Sequence, residues 1–337
     1  MFSSYKFNLE KIFMHCNIPI FIPHLACAHN CIFCNQRHIS GQTKAPTIEQ
    51  VKEIIDSHLA TIKEGTEVEV AFFGGSFTGI EMNLQNKYLQ AIQPYIKEGK
   101  VKSIRLSTRP DYINEQILDN LKSHNVSDIE LGAQSLDDEV LSFSERGHNM
   151  EDVYKAAQLI NSYGFNLGLQ MMIGLPLDTK EKSINTAKKI LSLGAKTTRI
   201  YPTLVIEHTA LAKLYRENTY TPLTINQAID WTKEVYKVFA NSKIKILRVG
   251  LHPSKDLISG KGFLAGPFHI SFFELVLSAI WRDRLLQLDD KVKTIYVNPK
   301  DINHIIGYQS KNKDIILSRS LNIIQTANIQ QGELGTE

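Results

Sequence analysis

The stretch IPIFIPHLACAHNCIFCNQ, residues 18–36, sets a β-rich apolar run directly before three cysteines, Cys27, Cys31 and Cys34. The chain has only four cysteines in 337 residues, so three within eight positions form a cluster. Unligated cysteines are usually buried and scattered. Three on one short polar loop, delivered by the end of a strand, ask for something to hold.

Outward from this loop, apolar strands alternate with amphipathic helices. Strands are expected at 18–22, 68–73, 102–107, 128–133, 166–173 and 197–204, and helices at 48–63, 84–97, 114–123, 151–163 and 179–193. Strands alternating with helices of this length give a parallel sheet, and right-handed crossovers place the helices outside it. Six such units predict an α/β fold built on an open, partial (β/α)6 barrel. Function in such barrels sits at the C-terminal strand ends. The unusual residues fall there: the cysteines, Gly74-Gly75-Ser76, Ser107 and Arg109, Gln134, and Gly174. After about residue 207 the rhythm changes. Helices at 209–217 and 224–240 precede a strand at 245–250, a passage with Gly260, Gly262, Gly266 and Pro267, a helix at 271–288 and a strand at 294–298. The expected organisation is an N-terminal segment (1–17), the barrel (18–206), and an α+β C-terminal extension (207–337) that covers the barrel.

Hydrophobic and charged fractions of 43% and 22% are those of a globular chain, long enough to bury a large core. A net charge of +3 neither requires nor excludes a nucleic-acid partner. No apolar run reaches the roughly 18 residues of a membrane helix. The opening MFSSYKFNLEKIF carries charges where a signal peptide needs its apolar stretch. The expected location is cytoplasmic, with no membrane partner. There a disulfide framework is not expected, and clustered thiols indicate metal or redox chemistry.

The spacing C-x3-C-x2-C leaves three readings open. Zinc needs a fourth ligand, which His15, His24 or His29 offers. Three unligated thiols are the plainest reading. A [4Fe-4S] cluster held by three thiolates instead of the usual four leaves one iron open to an exogenous ligand.

With Phe33 before the last cysteine, on the loop after a first strand, the motif resembles the radical S-adenosylmethionine (SAM) superfamily. That resemblance implies a [4Fe-4S] cluster on Cys27, Cys31 and Cys34, with SAM on the unique iron and Phe33 beside the cofactor. One electron then cleaves SAM to methionine and a 5′-deoxyadenosyl radical. AFFGGSFTG (71–79) resembles the family's Gly-Gly motif and implies SAM contacts from Gly74, Gly75 and Ser76. Glycine suits such a position because it permits close backbone approach. LSTRPD (106–111) resembles the third-strand segment of the Elongator catalytic subunit and of oxygen-independent coproporphyrinogen oxidases. It places Ser107, where many relatives carry glutamate, and Arg109 at the cofactor. IELGAQS (129–135) with RGH (146–148) implies Gln134 at the SAM ribose and Arg146 at its carboxylate, a task suited to the guanidinium fork. QMMIGLP (170–176) implies Gln170, where coproporphyrinogen oxidases have aspartate, and Met172 beside the adenosine.

RIYPTLVI (199–206) and ELGAQSLDDEVL (130–141) resemble the Elongator subunit in particular. RVGLHPS (248–254) and GFLAGPFHISFFELV (262–276) resemble the C-terminal extension of its short bacterial relatives. The chain ends at Glu337, too soon after residue 276 for the Elongator acetyltransferase domain. The resemblance therefore implies a radical SAM enzyme without that domain. It would use an external one-electron reductant of flavodoxin or ferredoxin type and act on an unidentified substrate, RNA by analogy with tRNA modification. Two other readings stand beside it. One is a non-catalytic metal- or cluster-containing RNA-binding protein, motivated by Ser107 and Gln170. The other is a coproporphyrinogen oxidase-like enzyme, against which the Elongator-like segments argue. Tyr201, Arg248, His252 and His269 are candidate substrate contacts or plain loop hydrogen-bonders. Lys293, Lys300, Lys311, Lys313 and Arg319 read as a solvated basic surface, and Cys16 as an ordinary thiol upstream of the first strand.

Overall fold

Seven parallel strands, in the order β1-β2-β3-β4-β5-β6-β8, form the curled sheet of a half-barrel in the computed structural model, which describes residues 15–22, 31–35 and 44–337. The strands are β1 (His15–Ile22), β2 (Glu67–Gly74), β3 (Ser103–Thr108), β4 (Val126–Gln134), β5 (Asn166–Ile173) and β6 (Thr197–Pro202). The chain then leaves through β7 (Val205–Ile206) and returns as β8 (Lys245–Val249). The crossover helices are α1 (Ile48–Leu59), α2 (Met82–Lys97), α3 (Glu115–Ser123), the short α4 (Asp138–Phe143), α5 (Met150–Ser162) and α6 (Lys180–Ser192). Between β7 and β8 run α7 (Ala210–Arg216) and α8 (Ile225–Ala240).

The helices begin where side chains can satisfy their free N–H groups. Thr47 with Gln50, Asn149 with Asp152 and Thr224 with Gln227 form reciprocal capping boxes. Each helix buries one apolar stripe: Val51 and Ile55 on α1, Leu89 and Ile92 on α2, Leu118 and Leu121 on α3. These pack on the outward residues of the strands, such as Ile18 and Ile20, Val70 and Phe72, Ile104 and Leu106, all in one core. Burying each such side chain stabilises by about 1.5–3 kcal/mol. The period of two sends the alternate residues to the concave face, which is polar and charged.

Three features differ from the sequence expectation. The 245–249 strand, expected in the extension, is the seventh strand of the main sheet, in register with β6. Its preceding helices make one more β-α-β crossover, which the longer connection disguises. β1 starts at His15, so Cys16 lies on that strand opposite Val68 instead of upstream of it. The C-terminal part carries more than one strand. After α9 (Lys255–Ser259), β9 (Phe263–Ala265) and α10 (Phe272–Gln287) come β10 (Thr294–Val297), α11 (Ile302–Ile306), α12 (Lys313–Ser318), β11 (Asn322–Gln325) and β12 (Leu334–Thr336). The last three strands form a small sheet around Trp281, Ile295 and Val297. Among the described residues, no helix is long and apolar enough to cross a membrane.

Gly74 ends β2 at φ +106°, and a Cβ there would stand 2.8 Å from the Ile22 carbonyl oxygen. The next amide, Gly75, donates to that same oxygen at 2.6 Å. This close approach locks the ends of β1 and β2 together. Gly74→Ala is expected to cost about 1–3 kcal/mol from backbone strain alone, and more from the clash. A chemical-denaturation curve within about 0.5 kcal/mol of wild type would contradict this.

Candidate active site at the strand ends

The described part of the cysteine loop, residues 31–35, is a tight turn in which the Cys34 amide donates to the Cys31 carbonyl at 3.0 Å. It is anchored on both flanks. The Ile32 amide donates to Ser144 O at 3.2 Å, and the Leu211 amide of α7 donates to Ile32 O at 2.7 Å. Cys31, Ile32 and Phe33 are buried in an apolar cluster with Leu175, Val205 and Tyr220, against which Cys34 and Met172 pack. Cys27 lies outside the described residues, as do His24 and His29.

Two buried arginines converge on this turn from elsewhere in the sequence. Arg146 donates from one Nη to Cys31 Sγ at 2.9 Å and from the other to Gly132 O at 2.6 Å. Its Nε is buried and has no hydrogen-bond partner among the described residues. The Arg109 Nη1 lies 3.9 Å from the same sulfur, and its Nη2 donates to the Arg146 carbonyl. Asp111 takes both remaining Arg109 bonds at 2.9 Å, a bidentate pair that fixes the guanidinium plane. His148 is buried beside them, with Nδ1 3.9 Å from Asp111. Burial, together with Arg146 and Arg109, pushes its pKa down to about 3, so it is neutral.

β4 ends irregularly. Its register against β5 slips between Gly132 and Gln134, and Gln134 sits at φ +64°. A side chain other than glycine in that region is strained, and such strain collects at functional sites. Gly132 makes room for it, because a Cβ there would stand 2.8 Å from Gln134 Nε2. β5 ends in the Gly174-Leu175-Pro176 turn, held by three bonds. The Gly174 amide donates to Asp178 Oδ2 at 2.9 Å, the Tyr220 hydroxyl donates to Gly174 O at 2.6 Å, and Ser183 Oγ donates to Asp178 at 2.7 Å. Burial raises the Asp178 carboxyl to about 6.

Deeper on the concave face lies a charge network. Glu130, 1% exposed, accepts from Arg199 at 2.6 and 3.0 Å and from Arg105 at 3.3 Å. Arg105 also reaches Glu69 at 3.1 Å and Asp128 at 2.7 Å. Burial alone would raise the Glu69 pKa, but the His15 hydrogen bond and Arg105 override it and hold the carboxyl at about 2. Gln170 donates to Glu130 at 2.9 Å and to Ser107 Oγ at 3.2 Å. Ser107 and Gln170, expected at the cofactor, are thus bonded to each other and to this network.

The structure therefore brings Cys31, Cys34, Phe33, Arg109, Gln134, Arg146 and Met172 to the strand ends, with Gly74, Gly75 and buried Ser76 at the adjoining end of β2. Asp111, His148, Asp178 and Tyr220 support that cluster without having been assigned to it from sequence. The LSTRPD and RGH motifs contain Asp111 and His148 and GLP lies just before Asp178, whereas no motif marked Tyr220.

Residues 21–190 match the family model described as the radical SAM superfamily, and residues 195–282 match that of a radical SAM C-terminal domain. A tRNA uridine(34) acetyltransferase of Methanocaldococcus infernus is 27% identical over 49% of this chain and 34% of its own length. An uncharacterized protein of Methanocaldococcus jannaschii is 29% identical over 68% of this chain and 74% of its own. The chain spans about a third to a half of the tRNA uridine(34) acetyltransferases it matches. Among solved structures, the archaeal Methanocaldococcus infernus Elp3 with an N-terminal deletion superposes with a TM-score of 0.66 at 20% identity, covering 81% of this chain and 64% of that one. This likeness is one of fold.

Proposed function

The chain belongs to the radical SAM superfamily, and from that premise we propose that it is an enzyme that cleaves SAM reductively and acts on RNA. The observation that carries the reading is the convergence on Cys31. A guanidinium N–H stands 2.9 Å from its sulfur, and the same guanidinium keeps a buried donor, Nε, without an acceptor among the described residues. Cysteine ligates metal as thiolate, and a cationic donor complements sulfur in that form. The donor set fits an iron–sulfur cluster held by Cys27, Cys31 and Cys34. When bound, the cluster supplies one electron for cleavage of SAM to methionine and a 5′-deoxyadenosyl radical.

The chain's own residues do the rest. Arg146 offers Nε to a carboxylate of the cofactor, since both of its Nη atoms are committed to Cys31 and Gly132. Arg109, clamped by Asp111, holds Arg146 through its backbone carbonyl. Gln134, at the irregular end of β4, would hydrogen-bond the ribose of the cofactor. Phe33, Met172 and Leu175 make the apolar wall that keeps water from a reactive radical. Gly74, Gly75 and Ser76 line the adjoining strand end, and Ser107 and Gln170 support the floor through Glu130. Within residues 207–337, β8 completes the main sheet, and we take the rest to cover the mouth, a reading that the α7 contact to the cysteine loop supports. An external reductant of flavodoxin or ferredoxin type supplies the electron, and the protein works in the cytoplasm. RNA as substrate rests on the relatives named as tRNA uridine(34) acetyltransferases, a warrant by analogy.

Anaerobic reconstitution with iron and sulfide, then dithionite and SAM, is expected to yield 5′-deoxyadenosine. Zinc without iron after anaerobic purification, or no 5′-deoxyadenosine from cluster-loaded protein, would overturn the enzyme reading. Nucleosides of tRNA from a deletion strain are expected to lack one modification present in the parent. Identical profiles would remove RNA as the substrate.

A further inference from the structure

Three arginines, on β3, β6 and β8 of the main sheet, project onto the concave face, and two of them are spent. Arg105 meets Glu69, Asp128 and Glu130, and Arg199 meets Glu130. The third, Arg248 on β8, stands in register beside Arg199. No carboxylate among the described residues pairs with it. Its Nε donates to Gly250 O at 3.0 Å and its Nη2 to Leu251 O at 3.1 Å. Two carbonyls fix the guanidinium plane without neutralising it. Nη1 keeps its N–H groups unspent among the described residues. Tyr201 and Arg199 are the groups that act on it electrostatically, and burial pulls its pKa below the ordinary arginine value.

A half-buried cation without a counter-charge has lost hydration, and two neutral carbonyls repay only part of that loss. An arginine held so is complementary to an anion brought from outside, and the planar fork favours phosphate. Its place in the fold adds direction. β8 is the last strand of an open sheet, so Arg248 stands on the edge strand, where the concave face is least enclosed by neighbouring strands. We propose that Arg248, with Tyr201 beside it, is the subsite for a phosphate group of the substrate strand. The choice of a nucleic-acid phosphate rests on the RNA reading above, whereas the anion preference rests on the geometry alone.

The test is direct binding, read by calorimetry and by anisotropy of a fluorescein-labelled single-stranded RNA decamer, with uridine 5′-monophosphate, inorganic phosphate and uridine as competitors. Wild-type protein is expected to bind the decamer. Uridine monophosphate and phosphate should compete, and uridine should not. Arg248→Gln should weaken the decamer about tenfold, the loss expected for one charge-assisted contact. Arg248→Lys, which keeps the charge but loses the fork, should weaken it about threefold, and it carries the test if the glutamine variant does not fold. The exposed control Lys213→Gln should bind as wild type. Equal binding by wild type and both Arg248 variants, or competition by uridine as strong as by its monophosphate, overturns the subsite. If phosphate and uridine monophosphate bind through Arg248 while the decamer does not, the subsite stands and the RNA reading falls.

Discussion

Cys31→Ala is expected to abolish both the brown iron–sulfur chromophore and the formation of 5′-deoxyadenosine, while leaving a folded protein. Removing one of the three proposed thiolate ligands should leave too few to hold the cluster, so the loss should be complete. The fold should survive because the loop is anchored by its backbone, through Ser144 and Leu211, and not by the sulfur. What the protein loses is the acceptor of one Arg146 N–H, a cost of about 1–3 kcal/mol. Arg146→Lys separates ligation from orientation. Lysine keeps the charge but loses Nε and the fork. Iron content should stay near wild type while SAM cleavage falls about 10–100-fold, as for residues that position metal-site groups. Iron analysis and product chromatography on the two variants check both claims. A Cys31→Ala protein that keeps its iron and still cleaves SAM would refute the site.

The second large effect is on stability. Glu130 is the hub of the concave-face network, and Gly168 makes space for it, since a Cβ there would come within 2.8 Å of Glu130 Cγ. Burial opposes its charge, but the bonds from Arg199 and the nearness of Arg105 keep its pKa below the ordinary carboxylate value. Glu130→Gln leaves Arg199, whose side chain is 12% exposed, without its carboxylate. Breaking a buried pair from one side costs about 3–5 kcal/mol, enough to consume a large part of a domain's stability. Urea denaturation should show this, and Arg199→Met on top of Glu130→Gln should recover part of the loss because the stranded charge is gone. A single variant within about 1 kcal/mol of wild type would sink the argument. The same network sets an acid limit. The Glu69 carboxyl is lowered from 4.5 to about 2. Its contribution is therefore full above 4.5 and is lost as pH falls through about 2.

The alternation of strands and helices was legible because each element announces itself within its own residues. Periods of two and 3.6 and cap residues such as Thr47, Asn149 and Thr224 need no distant partner. The cysteine triplet, the glycines after β2 and the Arg146 motif were legible for the same reason, since each is a short local pattern. Their convergence on one strand-end cluster followed from the parallel topology. The Glu130 network was not legible. Its partners Arg105, Gln170 and Arg199 lie 25, 40 and 69 residues away, and nothing local marks any of them. Sheet register alone sets them side by side. The role of Arg248 was hidden in the same way, because whether an arginine is paired depends on what the neighbouring strands present. By itself the sequence determined most of the elements, their parallel order and the short motifs that the strand ends bring together. Tertiary structure decided the seventh strand, which charges are neutralised, and which arginine is left to receive an anion. Those depend on distances across strands, and register fixes such distances only once the sheet has formed.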